Sequence, residues 1–187
     1  GARCGWMEFH NTDLDGDFAA FFESLKRPLM LEVCSTTLPQ AALPMIYDHP
    51  QYDPWRARYA AKLAGNAKAI RTILGTVPGL RVPPIQGAFY IMATLPAACF
   101  NARQTLPIAH PRARALIRKA VAAPGIAPDK RLAYYLLAST GLCVVPASDF
   151  HSPYPGFRVT TLERDPDRRD RSFRMLAAAV QRYLASV

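Results

Sequence analysis

Apolar side chains recur along the chain at intervals that separate helices from strands. Leu14, Phe18, Phe21, Phe22, Leu25 and Leu29 fall at helical spacing and predict a first amphipathic helix. Asp13 or Asp15 stands ready to cap its start, and Pro28 to bend or break it near its end. Thr36 to Leu43 read as a cap and a short helix with proline in the first turn. A turn-rich stretch, 48–54, follows. Trp55, Tyr59, Leu63, Ile70, Leu74 and Val77 then form one stripe of a long helix from about Pro54 to Thr76. Arg56, Arg58, Lys62, Lys68 and Arg71 lie mostly off that stripe, as a solvated face would, and Val77-Pro78-Gly79 closes the helix.

The period then shortens. Leu80-Arg81-Val82 and Ala88-Phe89-Tyr90-Ile91-Met92 predict two strands around a proline-rich turn. The Ala- and Pro-rich stretch 95–128 holds a basic helix near Arg112 to Val121. Asp129 is expected to cap a further helix that Gly141 ends. Leu142 to Val145 and Phe157 to Leu162 predict two more strands. Asp165-Pro166, a cap followed by a first-turn proline, starts the last helix, which buries Phe173, Leu176, Val180, Tyr183 and Leu184. Helices alternating with short strands indicate an α/β or α+β domain, a small sheet covered by helices.

Composition adds bounds. The 187 residues are 50% hydrophobic, enough for one sizeable core, and no apolar run approaches the roughly 18 residues of a membrane span. The net charge of +9 is spread along the chain, with one cluster at Arg164, Arg168, Arg169, Arg171 and Arg174. Zinc-finger spacing and aromatic RNA-binding signatures are lacking, so the expected partners are small anions rather than nucleic acid. Cys4, Cys34, Cys99 and Cys143 form no C-x-x-C pair, and the four histidines no i, i+4 pair, so no metal site is expected. Cys143, ahead of Val144-Val145, reads as a core thiol, and the isolated cysteines suit a reducing compartment.

Three places invite chemistry. In a strand over 157–162, Phe157, Val159 and Thr161 face one way while Arg158 and Thr160 face the other. A guanidinium fork there suits a carboxylate; the alternative is an edge-strand arginine in a structural ion pair. Arg3 lies near two glycines, Gly1 and Gly5, that would let backbone approach a phosphate, or it is a turn arginine. Gly87 permits unusual dihedrals or close packing beside a ligand, or is a structural turn glycine.

These strings occur in a telling order. Gly1-Ala2-Arg3-Cys4-Gly5-Trp6-Met7-Glu8 is followed by Val77-Pro78-Gly79-Leu80, then Pro84-Ile85-Gln86-Gly87-Ala88-Phe89-Tyr90. Leu136 through Phe150 and Phe157-Arg158-Val159-Thr160 complete the series. The series resembles class I/II (fold type I) pyridoxal-phosphate-dependent aminotransferases, the alanine branch foremost and the tyrosine branch next, over nearly the whole chain.

The resemblance implies the C-terminal small domain of that fold at 51–187, with residues 1–50 as the tail of the large domain and its connecting helices. It implies pyridoxal 5′-phosphate as cofactor, Arg3 on its phosphate, Arg158 on the substrate α-carboxylate, and Gly87 and Tyr90 along the substrate side. An amino acid and a 2-oxo acid are the implied substrates, a homodimer the implied assembly, and the cytoplasm (or a mitochondrion) the implied location. The Schiff-base lysine of the family stands several residues ahead of the phosphate arginine, whereas only two residues precede Arg3 here. Lys26, Lys62, Lys68, Lys119 and Lys130 do not follow Ser or Thr. The expectation is therefore a fragment without activity of its own. A non-catalytic basic binding module is the alternative, and a separate chain supplying the lysine a third reading.

Overall fold

The computed structural model describes residues 4–31 and 36–186. The chain forms two compact units, Gly1–Ala57 and Arg58–Val187, with the boundary inside a long helix.

The first unit contains α1 (Gly16–Leu31) and α2 (Thr37–Tyr47) and the start of α3 (Tyr52–Leu74). Asp15 caps α1: its Oδ1 accepts from the backbone N–H of Asp17 and Phe18, at 2.8 and 3.3 Å. Pro28 does not end this helix, which continues to Leu31. Neither α1 nor α2 buries a residue. Aromatic pairs provide its packing, with Phe9 4.9 Å from Phe22 and Tyr47 4.9 Å from Tyr52.

The second unit holds the core. After α3 come β1 (Tyr90–Thr94), α4 (Pro111–Val121), α5 (Pro128–Thr140), β2 (Val145–Pro146), β3 (Gly156–Thr160) and α6 (Pro166–Ala185). The three strands form an antiparallel sheet in the order β1-β3-β2, so β3 is central. Ile91, Ala93, Phe157 and Val159 point to one face and are buried with Leu132 and Leu136 of α5 and Leu176, Val180 and Tyr183 of α6. Tyr90, Met92, Arg158 and Thr160 alternate onto the other face. This small α/β arrangement, a sheet with helices on it, is the one the sequence pattern implies.

Three buried polar side chains fasten loops to this core. The Asn66 amide donates to the carbonyls of Thr161 (2.7 Å) and Glu163 (2.9 Å) and accepts from Arg169 (2.7 Å). The Gln104 amide donates to the carbonyls of Cys99 and Leu184 and accepts from the Asn101 N–H. Asp129 accepts from the Ser148 hydroxyl (2.7 Å) and from the N–H groups of Ser148 (2.9 Å) and Gly156 (3.2 Å). Each group thereby recovers the hydrogen bonds lost on leaving water.

Several elements differ from expectation. Residues 80–82 make only a bridge between Arg81 and Thr94, because Pro83 and Pro84 lack the N–H that would extend a ladder. The strand expected over 142–145 is reduced to Val145–Pro146. That leaves Cys143 exposed rather than in the core. Asp129 does not cap α5; Ala127 holds that position, and the carboxylate turns inward to Ser148 and Gly156. Gly141, at φ 77°, ends α5 in the left-handed conformation, and Asp165 caps α6 through the N–H of Asp167 and Arg168.

Candidate functional site

β3 carries Arg158 on the sheet face away from the core, with Met92 opposite it on β1 and Val145 opposite it on β2. The register follows from the burial of Phe157 and Val159, since a one-residue slip would put the guanidinium into the core. Arg158 therefore belongs to the central strand, and the edge-strand reading fails.

The ion-pair reading fails as well. Among the described residues no carboxylate pairs with Arg158. Its guanidinium carbon lies 4.3 Å from the centre of the Tyr90 ring and 4.1 Å from that of Phe150. Tyr90 comes from β1 and Phe150 from the 3₁₀ turn Ala147–Phe150 after β2, so the rings approach from the two flanks of β3. Contacts of this kind contribute about 0.5–1 kcal/mol each at exposed positions. They hold the cation without using its N–H groups, which stay available for a planar oxyanion.

The supports of this arrangement converge on one residue. Asp129 binds Ser148, two residues before Phe150, and Gly156, two residues before Arg158. Beside it, Lys130 pairs with Asp149 at 2.9 Å, and that bond holds the Lys130 ammonium above its usual pKa. A cleft of about 260 Å³ adjoins the site, lined in part by Cys143, Val145, Arg158, Thr160, Phe173 and Leu176. Glu163 and Arg169 also line it, whereas Tyr90 and Phe150 do not.

The other expected site residues stand as follows. Tyr90 is brought against Arg158. Gly87 lies three residues earlier in a bend, where an added Cβ would meet nothing within 4 Å, so neither close packing nor a left-handed φ calls for glycine there. The left-handed residue in that bend is Ala88, at φ 56°. Arg3 lies outside the described residues. Gly5 has open space around its Cβ position, and residues 4–10 have no regular structure. Phe150 and Asp129 are the functional candidates that sequence reasoning missed. Phe150 ends the matched string Leu136 through Phe150, a signal that marked the segment without singling out the ring.

Comparison with known proteins bears on what the site binds. The family model for aminotransferase class I and II matches residues 1–170. The chain belongs to the class I and II aminotransferase family. An uncharacterized aminotransferase of Methanocaldococcus jannaschii is 37% identical over 98% of the chain, and the match takes in 42% of that relative's length. Alanine aminotransferase 1 of Bos taurus is 31% identical over 80% of the chain and 28% of its own length. An alanine aminotransferase 2-like protein of Danio rerio is 33% identical over 80% of the chain and 25% of its own length. This aminotransferase-family chain thus spans less than half the length of these relatives. The class is generally pyridoxal-phosphate-dependent, with amino acids and 2-oxo acids as substrates.

Proposed function

We propose that this chain is the substrate-carboxylate-binding part of a pyridoxal-phosphate-dependent aminotransferase of the L-alanine/2-oxoglutarate type. The observation that carries the reading is Arg158: a half-buried guanidinium on the central strand, over two rings, with no anionic partner among the described residues. Such a fork binds an α-carboxylate through two parallel hydrogen bonds. Holding the carboxylate fixes the direction of the adjacent Cα–H bond, the geometric requirement of a proton transfer at that carbon. The alanine preference draws on the alanine aminotransferase relatives. The assignment of Arg3 to the cofactor phosphate rests on family membership alone. So do the homodimer and the assignment of 1–50 and 51–187 to the large and small domains, while the cytoplasmic (or mitochondrial) location draws on the isolated cysteines. Without a Schiff-base lysine in the family's position, the 187 residues alone do not transaminate.

Two measurements test the reading. L-Alanine and 2-oxoglutarate with added cofactor should give no turnover with the 187-residue chain; measurable turnover overturns the predicted inactivity. Titration of the same chain with 2-oxoglutarate should show saturable binding that Arg158→Lys weakens about tenfold or more, because a point charge cannot reproduce the planar fork. Equal affinity in Arg158→Lys would sink the carboxylate assignment.

A further inference from the structure

We propose that Phe150 is a positioning residue which, with Tyr90, forms an aromatic bracket presenting the Arg158 guanidinium to a carboxylate. The proposal rests on the carboxylate reading of Arg158 and adds residues that act through it.

An arginine has several rotatable bonds, and ordering them on binding opposes affinity. A cation with no anion to hold it would sample many rotamers. Here its guanidinium carbon is over a ring on each flank of its strand, at 4.3 and 4.1 Å. Neither ring offers an acceptor at those contacts, so the N–H fork is fixed in place yet unspent. The two rings stand on separate anchors. Tyr90 is held by the β1–β3 ladder, in which Tyr90 faces Thr160. Phe150 is held by its turn, which Asp129 ties to the start of β3 through Ser148 and Gly156. The same carboxylate thus fixes the turn bearing the ring and the strand bearing the arginine. Tyr90 and Phe150 are each about 40% exposed, more than core packing alone requires, while Phe157 on the opposite face of β3 is fully buried.

The test uses the ¹⁵N-labelled 187-residue chain. The Arg158 Nε–Hε resonance, assigned by its loss in Arg158→Lys, should be displaced by ring currents from the other arginines. Phe150→Leu and Tyr90→Leu should each return it part of the way. Each should also weaken 2-oxoglutarate binding about two- to fivefold, the range expected for one cation–ring contact. Phe150→Tyr should restore both shift and affinity, which a fold defect would not allow. Unchanged amide resonances of Leu132 and Val180, buried on α5 and α6, confirm the core in each variant. If Phe150→Leu binds 2-oxoglutarate as wild type does, the bracket is refuted while the carboxylate role of Arg158 stands. If Arg158→Lys itself binds as wild type does, the carboxylate reading fails and this inference falls with it.

Discussion

Gly156 opens the central strand, and its replacement by alanine tests the packing of the whole site. A Cβ there would overlap the carbonyl oxygen of Ala93 and come within 2.8 Å of Thr94 Cα and 3.0 Å of the Ala93 carbonyl carbon. Ordinary contact between carbon atoms needs about 3.5 Å or more. All three neighbours are backbone, so no rotamer change relieves the overlap; β1 and β3 must part where Thr94 faces Gly156. Overpacking of this kind costs roughly 1–3 kcal/mol. Shifting the Gly156 N–H off Asp129 removes one of three donors to a buried carboxylate, about another 1–3 kcal/mol. The expected loss is about 2–6 kcal/mol, against total stabilities of about 5–15 kcal/mol for domains. Both tryptophans, Trp6 and Trp55, belong to the Gly1–Ala57 unit, so indole fluorescence is the wrong probe. Amide hydrogen exchange at Ile91 and Val159, paired across β1 and β3, reports the second unit directly. Gly156→Ala should lower their protection by a factor on the order of 30 or more. Protection within about twofold of wild type would refute the close-approach argument.

Other substitutions follow from the same contacts. Asp129→Asn places an amide against three donors and should cost about 2–4 kcal/mol in urea unfolding followed by far-UV dichroism; a change below about 0.5 kcal/mol would argue against its bridging role. Ala88→Gly should stabilise by about 1 kcal/mol by relieving the left-handed residue, whereas Gly87→Ala should be neutral within about 0.5 kcal/mol; the reverse ranking would contradict the bend geometry. Burial holds the Tyr183 phenol above its usual 10.0, partly opposed by Arg131. A raised folded-state pKa gives stability that is complete below the unfolded value and lost as pH rises through the folded one. Wild type should therefore lose more stability than Tyr183→Phe between about pH 8 and about pH 11, and equal losses would dismiss Tyr183 as the cause.

What the sequence revealed follows the range over which each signal acts. Helix periodicity and helix ends are local. The helices α1, α3 and α6, the cap at Asp165 and the stop at Gly141 could all be read directly, although the expected stripe is not buried in α1 and is buried only towards the end of α3. Strand existence depends on a partner, and here the pattern overreached. Residues 80–82 run into two prolines, and 142–144 find no ladder beyond Val145. Asp129 was assigned by a local rule to the end of its own helix. Its donors stand 19 and 27 residues away in sequence, a range at which no local rule acts. Phe150 was illegible for the same reason, because its ring matters only once the turn after β2 is folded beside β3.

Arg158 shows how far alternation carries an argument and where topology must take over. Alternation set which way the side chain points, but edge strand and central strand carry the same alternation. Only the order β1-β3-β2 decides between them. Other arginines of this unit sharpen the point. Arg169 is committed to Asp170 and Asn66, Arg168 to Glu163, Arg114 to the carbonyls of Ile108 and Ala109, and Arg131 to those of Val121 and Ala102. These arginines spend donors on the fold, although the buried Nε of Arg131 finds no partner among the described residues. Arg158, half-buried at the centre of the sheet, spends none among the described residues and is held instead by ring faces. A partly desolvated cation is costly without an anion, and rings offset only part of that cost. An arginine kept in this state suits a site whose anion arrives with the substrate.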